Sequence, residues 1–62
     1  MEKMTLYSPE EVAQMLGVTP NAVRGWLRVG TLPAFKFGKV WRIKETDLEA
    51  FVEKSRVDGK EG

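Results

Sequence analysis

The sequence predicts a small α+β fold that is mostly helical, in the order helix, helix, strand, strand, helix. Three observations predict it. Two segments begin with a capping residue followed by proline, which is typical of helix starts. Two runs of β-prone residues flank Gly38-Lys39, and an amphipathic segment follows them from Glu45. Because the chain has only 62 residues, these elements must share one hydrophobic core.

The composition excludes several classes of function. The sequence contains no cysteine and no histidine, so disulfide bonds and thiolate or imidazole metal sites are excluded. Apolar runs are far shorter than a membrane span, and residues 1–4 lack the apolar stretch of a secretory signal. We therefore expect a cytoplasmic protein that has no membrane contact, no cofactor, no metal site and no enzyme activity.

Charge is unevenly distributed along the chain, although the formal net charge is only +1. No acidic residue lies between Glu11 and Glu45. The basic residues of this interval are Arg24, Arg28, Lys36, Lys39, Arg42 and Lys44. A basic segment of this kind is typical of a surface that contacts phosphate groups.

The first helix is predicted over about 9–16. Ser8 precedes Pro9 as a capping residue, and Glu11 is placed to complete a capping box with Ser8. Gly17 supplies the left-handed residue that ends the helix. The apolar residues Val12, Ala13 and Leu16 share one face.

The second helix is predicted over about 20–28, with Thr19 as its capping residue and Gly30 after its last turn. The apolar face consists of Val23, Trp26 and Leu27. The opposite face carries Asn21, Arg24 and Arg28. We expect the first face to pack into the core and the second to be free.

A β-hairpin is predicted next, with strands over 32–37 and 40–43. Gly38 at the first central position of a two-residue loop favours a type II′ turn, which leaves Lys39 at the tip. The apolar residues Phe35, Phe37, Trp41 and Ile43 alternate with Lys36 and Arg42.

The third helix is predicted from Glu45 to about Ser55, with Leu48, Phe51 and Val52 on one face. The sequence is consistent with two positions for the start of this helix. Thr46 and Glu49 can form a capping box, or the first turn is capped at Lys44 with acidic residues at its positive end. We prefer the earlier start. The ordered domain is predicted over 6–55, with flexible ends over 1–5 and 56–62.

The first two helices are separated only by residues 17–19, and a three-residue turn with glycine is the signature of a helix-turn-helix. The second helix would then enter the major groove of double-stranded DNA and present its N-terminal residues to base edges. Asn21 and Arg24 can bond adenine and guanine bidentately, and Arg28 shares their face. Thr19 suits a phosphate group at the helix N-terminus.

The hairpin residues Lys36, Lys39 and Arg42 would contact the neighbouring backbone or minor groove, where they position the protein without specifying sequence. We expect these residues and the arginines of the second helix to form one continuous cationic strip. Arginines that pack inward or pair with carboxylates, together with hairpin lysines that point elsewhere, would contradict the nucleic-acid interpretation.

Several motifs occur in order: YSPEEVAQMLGV over 7–18, VRGWLRVGTLPA over 23–34, GKVWRI over 38–43 and DLEAF over 47–51. Over about residues 5–53 the chain resembles the excisionase branch of the MerR-like winged-helix superfamily. The resemblance implies a winged helix-turn-helix that acts as a recombination directionality factor or a small transcription regulator. It also implies cooperative or tandem occupancy of DNA sites, with an integrase or recombinase, or further copies of this chain, as partners. In such families the residues corresponding to Asn21, Arg24, Arg28, Lys36, Lys39 and Arg42 contact DNA.

Two departures from the family pattern limit the analogy. Gly25 stands where some relatives carry a basic or polar side chain, which predicts a modest sequence preference. MerR regulators continue into a dimerising coiled coil and an effector domain, for which this chain ends too soon, so we expect no small-molecule effector.

Simpler interpretations compete with the functional ones. Trp26 and Trp41 are better explained by core packing than by base stacking. Glu10 and Glu11 are explained by their place at a helix start, and adjacent helical positions diverge too far for paired catalytic carboxylates. The competing function is a protein-interaction module whose basic face binds an acidic partner such as a recombinase or polymerase subunit.

Overall fold

The computed structural model describes residues 4–57, which form three helices and a three-stranded antiparallel sheet. The elements in chain order are β1 (Leu6–Tyr7), α1 (Pro9–Leu16), α2 (Pro20–Val29), β2 (Phe35–Phe37), β3 (Val40–Lys44) and α3 (Glu45–Lys54). The predicted α+β class is confirmed. The flexible ends predicted over 1–5 and 56–62 fall outside the described residues at 1–3 and 58–62, so the domain boundaries stay a prediction.

The predicted order of elements was wrong in one respect, because it lacked the first strand. β1 pairs antiparallel with β3, with Leu6 opposite Lys44 and Tyr7 opposite Ile43, and the sheet order is β1-β3-β2. A strand of two residues is too short to show the alternation from which strands are predicted. Just before β1, the Thr5 carbonyl accepts a hydrogen bond from the Glu45 amide at 3.0 Å, so this edge of the sheet also holds the start of α3.

The predicted start of α1 is confirmed. The Ser8 hydroxyl accepts a hydrogen bond from the Glu11 amide at 3.1 Å, and the Glu11 carboxylate accepts one from the Ser8 amide at 2.8 Å. This reciprocal pair satisfies two amides at the helix start. Gly17 ends the helix with φ 72°.

The other helix boundaries also agree closely with the sequence prediction. Thr19 caps α2, which extends one residue beyond the predicted end at Arg28, and Gly30 follows with φ 93°. α3 begins at Glu45 after Lys44, and no side chain caps it, so the earlier of the two predicted starts is confirmed.

The first hairpin strand is shorter than predicted. Residues 32–34 do not join the sheet, and the Leu32 amide instead donates to the Trp26 carbonyl at 3.3 Å, which closes the end of α2. Leu32 is buried in the core, and the following Pro33 has no N–H to donate to a neighbouring strand. The strand therefore begins at Phe35.

The hairpin register decides which side chains share a face. Phe35 lies opposite Arg42, Phe37 opposite Val40 and Lys36 opposite Trp41. Residues directly opposite each other in an antiparallel pair point to the same side of the sheet. The phenylalanines of β2 therefore lie on the opposite side of the hairpin from Trp41 and Ile43 of β3. One face, which we call the outer hairpin face, carries Phe35, Phe37, Val40 and Arg42. The other face carries Lys36, Trp41 and Ile43 and packs toward the core.

The turn of the hairpin agrees with the predicted type. Gly38 has a positive φ of 67°, and no described residue other than glycine has a positive φ. A type I′ turn requires positive φ at both central residues, so Lys39 excludes it, whereas a type II′ turn requires positive φ only at the first.

One core joins all three helices to the sheet. Its buried residues are Val12, Ala13, Val23, Leu27, Leu32, Ile43 and Leu48. Trp26 and Trp41 both pack against it, as predicted, and the Trp26 ring lies 4.9 Å from the Phe51 ring, which ties α2 to α3. Among residues 4–57, no helix has the length and apolar character needed to cross a membrane.

Candidate nucleic-acid interface

The turn between α1 and α2 leaves one side of α2 at the surface. Gly17 takes a left-handed conformation, and the Val18 amide donates to the Ala13 carbonyl at 3.0 Å, so α1 ends and the chain turns into α2 within three residues. Val23 and Leu27 are buried, whereas Asn21 and Arg28 are exposed. The polar side of α2 is therefore available to a partner.

The N-terminus of α2 offers hydrogen-bond donors at the surface. The Thr19 hydroxyl accepts from the Ala22 amide at 3.2 Å and keeps its own proton free to donate. Pro20 has no N–H, and within the described part of the chain the Asn21 amide has no acceptor. An exposed amide at the positive end of a helix is suited to a phosphate oxygen.

Arg24 is not free. Its guanidinium donates to a carboxylate oxygen of Glu10 on α1, and the two side chains are 41% and 57% exposed. An exposed ion pair of this kind is weak because water and salt screen it, so a phosphate or a base edge can displace Glu10. From the sequence, Glu10 was expected to act only at the start of α1, and its pair with Arg24 was not predicted.

Glu10 is also influenced by the hairpin. A hydrogen bond from its own backbone amide and the bond from Arg24 lower the pKa of Glu10, desolvation partly opposes them, and the charges of Arg24 and then Arg42 lower the pKa to a lesser extent. Arg42 is thus within electrostatic range of the Glu10–Arg24 pair. Charged groups of α1 and α2 are in contact here, and one of β3 acts on them through its charge.

The remaining predicted cations differ in their surroundings. Arg28 and Lys39 are exposed and have no side-chain partner among residues 4–57. The Lys36 ammonium lies 5.0 Å from the centre of the Trp41 ring, and Arg42 donates to the Trp41 carbonyl at 2.8 Å. Lys36 and Arg42 lie on opposite hairpin faces.

The prediction of one continuous cationic strip was therefore wrong in two respects. An acidic side chain, Glu10, lies within the cationic surface and pairs with Arg24. The hairpin register also turns Lys36 away from Arg42, because a two-residue loop places Lys36 opposite Trp41. The structure pairs Arg24 with Glu10, and Arg42 lies close enough for its charge to act on Glu10, whereas Lys36 is on the other hairpin face.

The described residues do not offer an evident metal centre. Within 4–57 there is no group of three or more histidine, cysteine, aspartate or glutamate side chains placed to hold a metal ion. The chemistry of the candidate interface is that of hydrogen bonding and charge.

Comparison with known proteins identifies the family. A family model described as a helix-turn-helix domain matches residues 6–56, which include every helix and strand described above. The chain belongs to this helix-turn-helix family. The resemblance to excisionase and MerR-like proteins is thereby confirmed. Membership of the helix-turn-helix family supports DNA binding by α1, α2 and the turn between them.

A relative is found in Bacillus subtilis strain 168. The chain is 33% identical over 57 residues to the protein YvgK, which is described as uncharacterized. The match covers 92% of this chain but only 18% of YvgK, so the chain spans less than a fifth of that relative's length. No solved structure matches the chain significantly.

Proposed function

We propose that this helix-turn-helix protein binds double-stranded DNA in a sequence-dependent manner, with α2 in the major groove. The observation that carries the proposal is the surface of α2. Its apolar side is buried, and its other side presents Asn21, Arg24 and Arg28 behind an N-terminus whose Asn21 amide has no acceptor among residues 4–57. The major groove of B-DNA is wide enough for a helix, and each base pair presents a distinct set of donors and acceptors there.

The proposed roles follow from the chemistry of each side chain. Asn21 and Arg24 read base edges, and Arg24 leaves Glu10 to do so. Arg28 lies one turn further along α2 and contacts the base edges or the backbone beside them. Thr19 and the Asn21 amide bind a phosphate group at the start of α2.

The β2–β3 hairpin acts as a wing on the adjacent backbone or minor groove. Lys39 at its tip and Arg42 near α2 contact phosphate groups and position the protein without reading sequence. Lys36 contacts the backbone from the other hairpin face, where its ammonium lies above Trp41. A cation held over an aromatic face keeps donors free for a phosphate oxygen.

The biological role that fits this surface is an excisionase-like recombination directionality factor or a small transcription regulator. Both roles use the same DNA-binding surface, with an integrase or recombinase, or further copies of this chain, as partners on DNA. Neither role requires a cofactor, a small-molecule effector or enzyme activity. A cytoplasmic, nucleoid-associated location belongs to the same proposal.

Selection of bound fragments from a pool of random duplexes tests the proposal. We expect enrichment of a short common sequence. Arg24→Ala should then relax the preference at one position, with a loss of about 1–3 kcal/mol of discrimination, because one bidentate base contact is removed. Lys39→Ala should weaken binding to all duplexes to a similar extent.

Lys54→Ala, which removes an exposed charge from the end of α3, is the matched control and should leave binding unchanged. No enrichment, or unchanged binding in both Arg24→Ala and Lys39→Ala, would contradict the proposal. Retention by an acidic protein partner in place of duplex DNA would favour the protein-interaction function instead.

A further inference from the structure

The outer hairpin face is apolar where a solvent-facing surface would ordinarily be polar. Phe35, Phe37 and Val40 are 43%, 57% and 45% exposed, and the two phenylalanine rings stack with centroids 6.3 Å apart. The polar residue of β2, Lys36, lies on the face toward the core. The usual arrangement of a half-buried strand, with apolar side chains inward and polar side chains outward, is reversed in β2.

A second copy of this chain is a poor match for so small a surface. The three apolar side chains together expose roughly 250–300 Å², if a phenylalanine offers about 200 Å². A stable interface buries about 800 Å² on each partner. The outer hairpin face alone thus has about a third of the area that a stable dimer requires. β2 also has only three residues, which makes it a poor edge for pairing with another strand.

The charges around the apolar side chains favour a nucleic acid as the partner. Arg42 lies opposite Phe35 at the base of this face, and Lys39 adjoins Val40 at the tip. The charge of Arg42 also acts on Glu10, the partner of Arg24, so the cation at the base of the outer hairpin face acts on the ion pair of the proposed DNA-binding surface. Apolar residues between cations match the minor groove, where sugars and base edges lie between two rows of phosphate groups.

We propose that the outer hairpin face binds the DNA minor groove and that Phe37 presses against a base step there and partly unstacks it. Phe37 is the more exposed of the two phenylalanines and lies beside the turn. Phe35 supports its ring by stacking. Apolar wedges of this type, phenylalanine included, bend a duplex and let it contact more of the protein. The inference rests on the proposed function, since α2 places the hairpin on the duplex.

Titration of a duplex carrying 2-aminopurine tests the proposal. The duplex is the one enriched by selection, with 2-aminopurine placed singly at each adenine on either side of the segment bound by α2. The wild-type protein should raise the fluorescence at one of these positions, because 2-aminopurine brightens when it is unstacked. Phe37→Ser should abolish this rise and weaken binding at least about fivefold, the lower end of the effect of losing one aromatic contact with a base.

The salt dependence of affinity separates the apolar contact from the phosphate contacts. Phe37→Ser should leave the slope of log affinity against log salt unchanged, because an apolar side chain releases no counterions, whereas Lys39→Ala should reduce the slope by about 0.9. Phe37→Leu retains an apolar wedge and should keep most of the affinity. Val52→Ser removes a 44% exposed side chain from α3 and is the control.

Unchanged affinity and unchanged fluorescence with Phe37→Ser would overturn the proposal. Light scattering that finds a dimer for the wild-type protein and a monomer for Phe37→Ser would also overturn the proposal, in favour of self-association. If the wild-type protein binds no duplex at all, the proposed function fails rather than this inference.

Discussion

Arg24 is both a proposed base-reading residue and a member of an ion pair. In the free protein it pairs with Glu10, whose carboxylate competes with DNA for the same guanidinium. The pair holds the Arg24 side chain in place before DNA binds. It also places the negative charge of Glu10 beside the DNA phosphate groups. Charge repulsion and competition thus both act against binding.

Glu10→Gln should therefore strengthen duplex binding. We expect an affinity gain of about two- to fivefold, since an exposed ion pair is weak and its loss frees Arg24 at little cost. The measurement is a fluorescence anisotropy titration at fixed salt. Glu49→Gln removes an exposed carboxylate from α3 and should change affinity less. Weaker binding by Glu10→Gln would show instead that Glu10 orients Arg24 for DNA.

The same pair should appear in the pH dependence of stability. The pKa of Glu10 in the folded protein lies below its ordinary value of 4.5. The ionised group therefore stabilises the folded state at neutral pH, and this contribution is lost as pH falls below 4.5 through the folded pKa. The difference in unfolding free energy between the wild type and Glu10→Gln should shrink between pH 6 and pH 3, as measured by urea unfolding. A difference that is constant over this range would contradict a lowered pKa of Glu10 in the folded protein.

At this scale, the sequence predicts contacts between neighbours and misses contacts across the fold. Ser8 and Glu11 are three residues apart, so their capping box is visible as a short motif. Glu10 and Arg24 are 14 residues apart and meet only because α1 and α2 pack as they do. No local pattern distinguishes that contact from a solvated carboxylate at a helix start.

Among the elements, α2 combines an exposed reading face with a weak point in its middle. Gly25 lies inside the helix, and beyond its chain neighbours and the backbone of α2 a Cβ there would meet no described atom within 4 Å. Glycine is less favourable than alanine in a helix interior because it loses more backbone freedom on folding. The helix is held mainly by its buried face and by its two ends.

Gly25→Ala should stabilise the protein. We expect a gain of about 0.5–1 kcal/mol in unfolding free energy, or a rise in Tm of roughly 2–8 °C for a domain of this size. Thermal unfolding monitored by circular dichroism measures this gain. Gly30→Ala is the contrasting variant, because φ at Gly30 is 93° and a side chain there is strained. Stabilisation by both variants, or by neither, would be inconsistent with this view of α2.

The hairpin shows what sequence patterns omit at the level of elements. The alternation in each strand and the two-residue turn were both visible in the sequence. The pairing register places Lys36 opposite Trp41. The apolar residues of β2 and β3 therefore lie on opposite sides of the hairpin, and Phe35 and Phe37 face away from Trp41 and Ile43. Strand patterns alone do not reveal this phase unless the register is followed through the turn.

For the molecule as a whole, one small core carries the stability of all the elements. Ile43 in β3 is fully buried, and β3 is the central strand of the sheet. A chain of this length is expected to have only about 3–9 kcal/mol of stability, which is comparable with the cost of one large cavity. The core therefore has little tolerance for truncation, and the position of the hairpin relative to α2 depends on it.

Ile43→Ala should lower the unfolding free energy by about 2–5 kcal/mol, and Ile43→Val by about 0.5–1.5 kcal/mol. Urea unfolding measures both. We expect Ile43→Val to keep duplex binding, because the fold persists, and Ile43→Ala to lose binding in parallel with folding. A folded Ile43→Ala variant of nearly wild-type stability would show that β3 is not central to the core.

The fold was more predictable from the sequence than the interface. Caps, glycines and apolar faces determine each helix locally, so the helix boundaries agree to within one residue at α2. The interface depends on how elements meet, and the pair of Glu10 with Arg24 and the turning of Lys36 away from Arg42 both arise from packing and register. β1 escaped prediction for the same reason, since it is a strand only because β3 lies beside it.

The dependence of duplex affinity on salt tests DNA binding by this surface most directly. A protein that contacts four to six phosphate groups releases their counterions, so log affinity should fall with log salt with a slope of about −4 to −5. Arg28→Ala and Lys39→Ala, which remove cations that have no partner among residues 4–57, should each make the slope less steep by about 0.9 if they contact phosphate groups. A slope near zero, or no binding to duplex DNA at low salt, would contradict DNA binding.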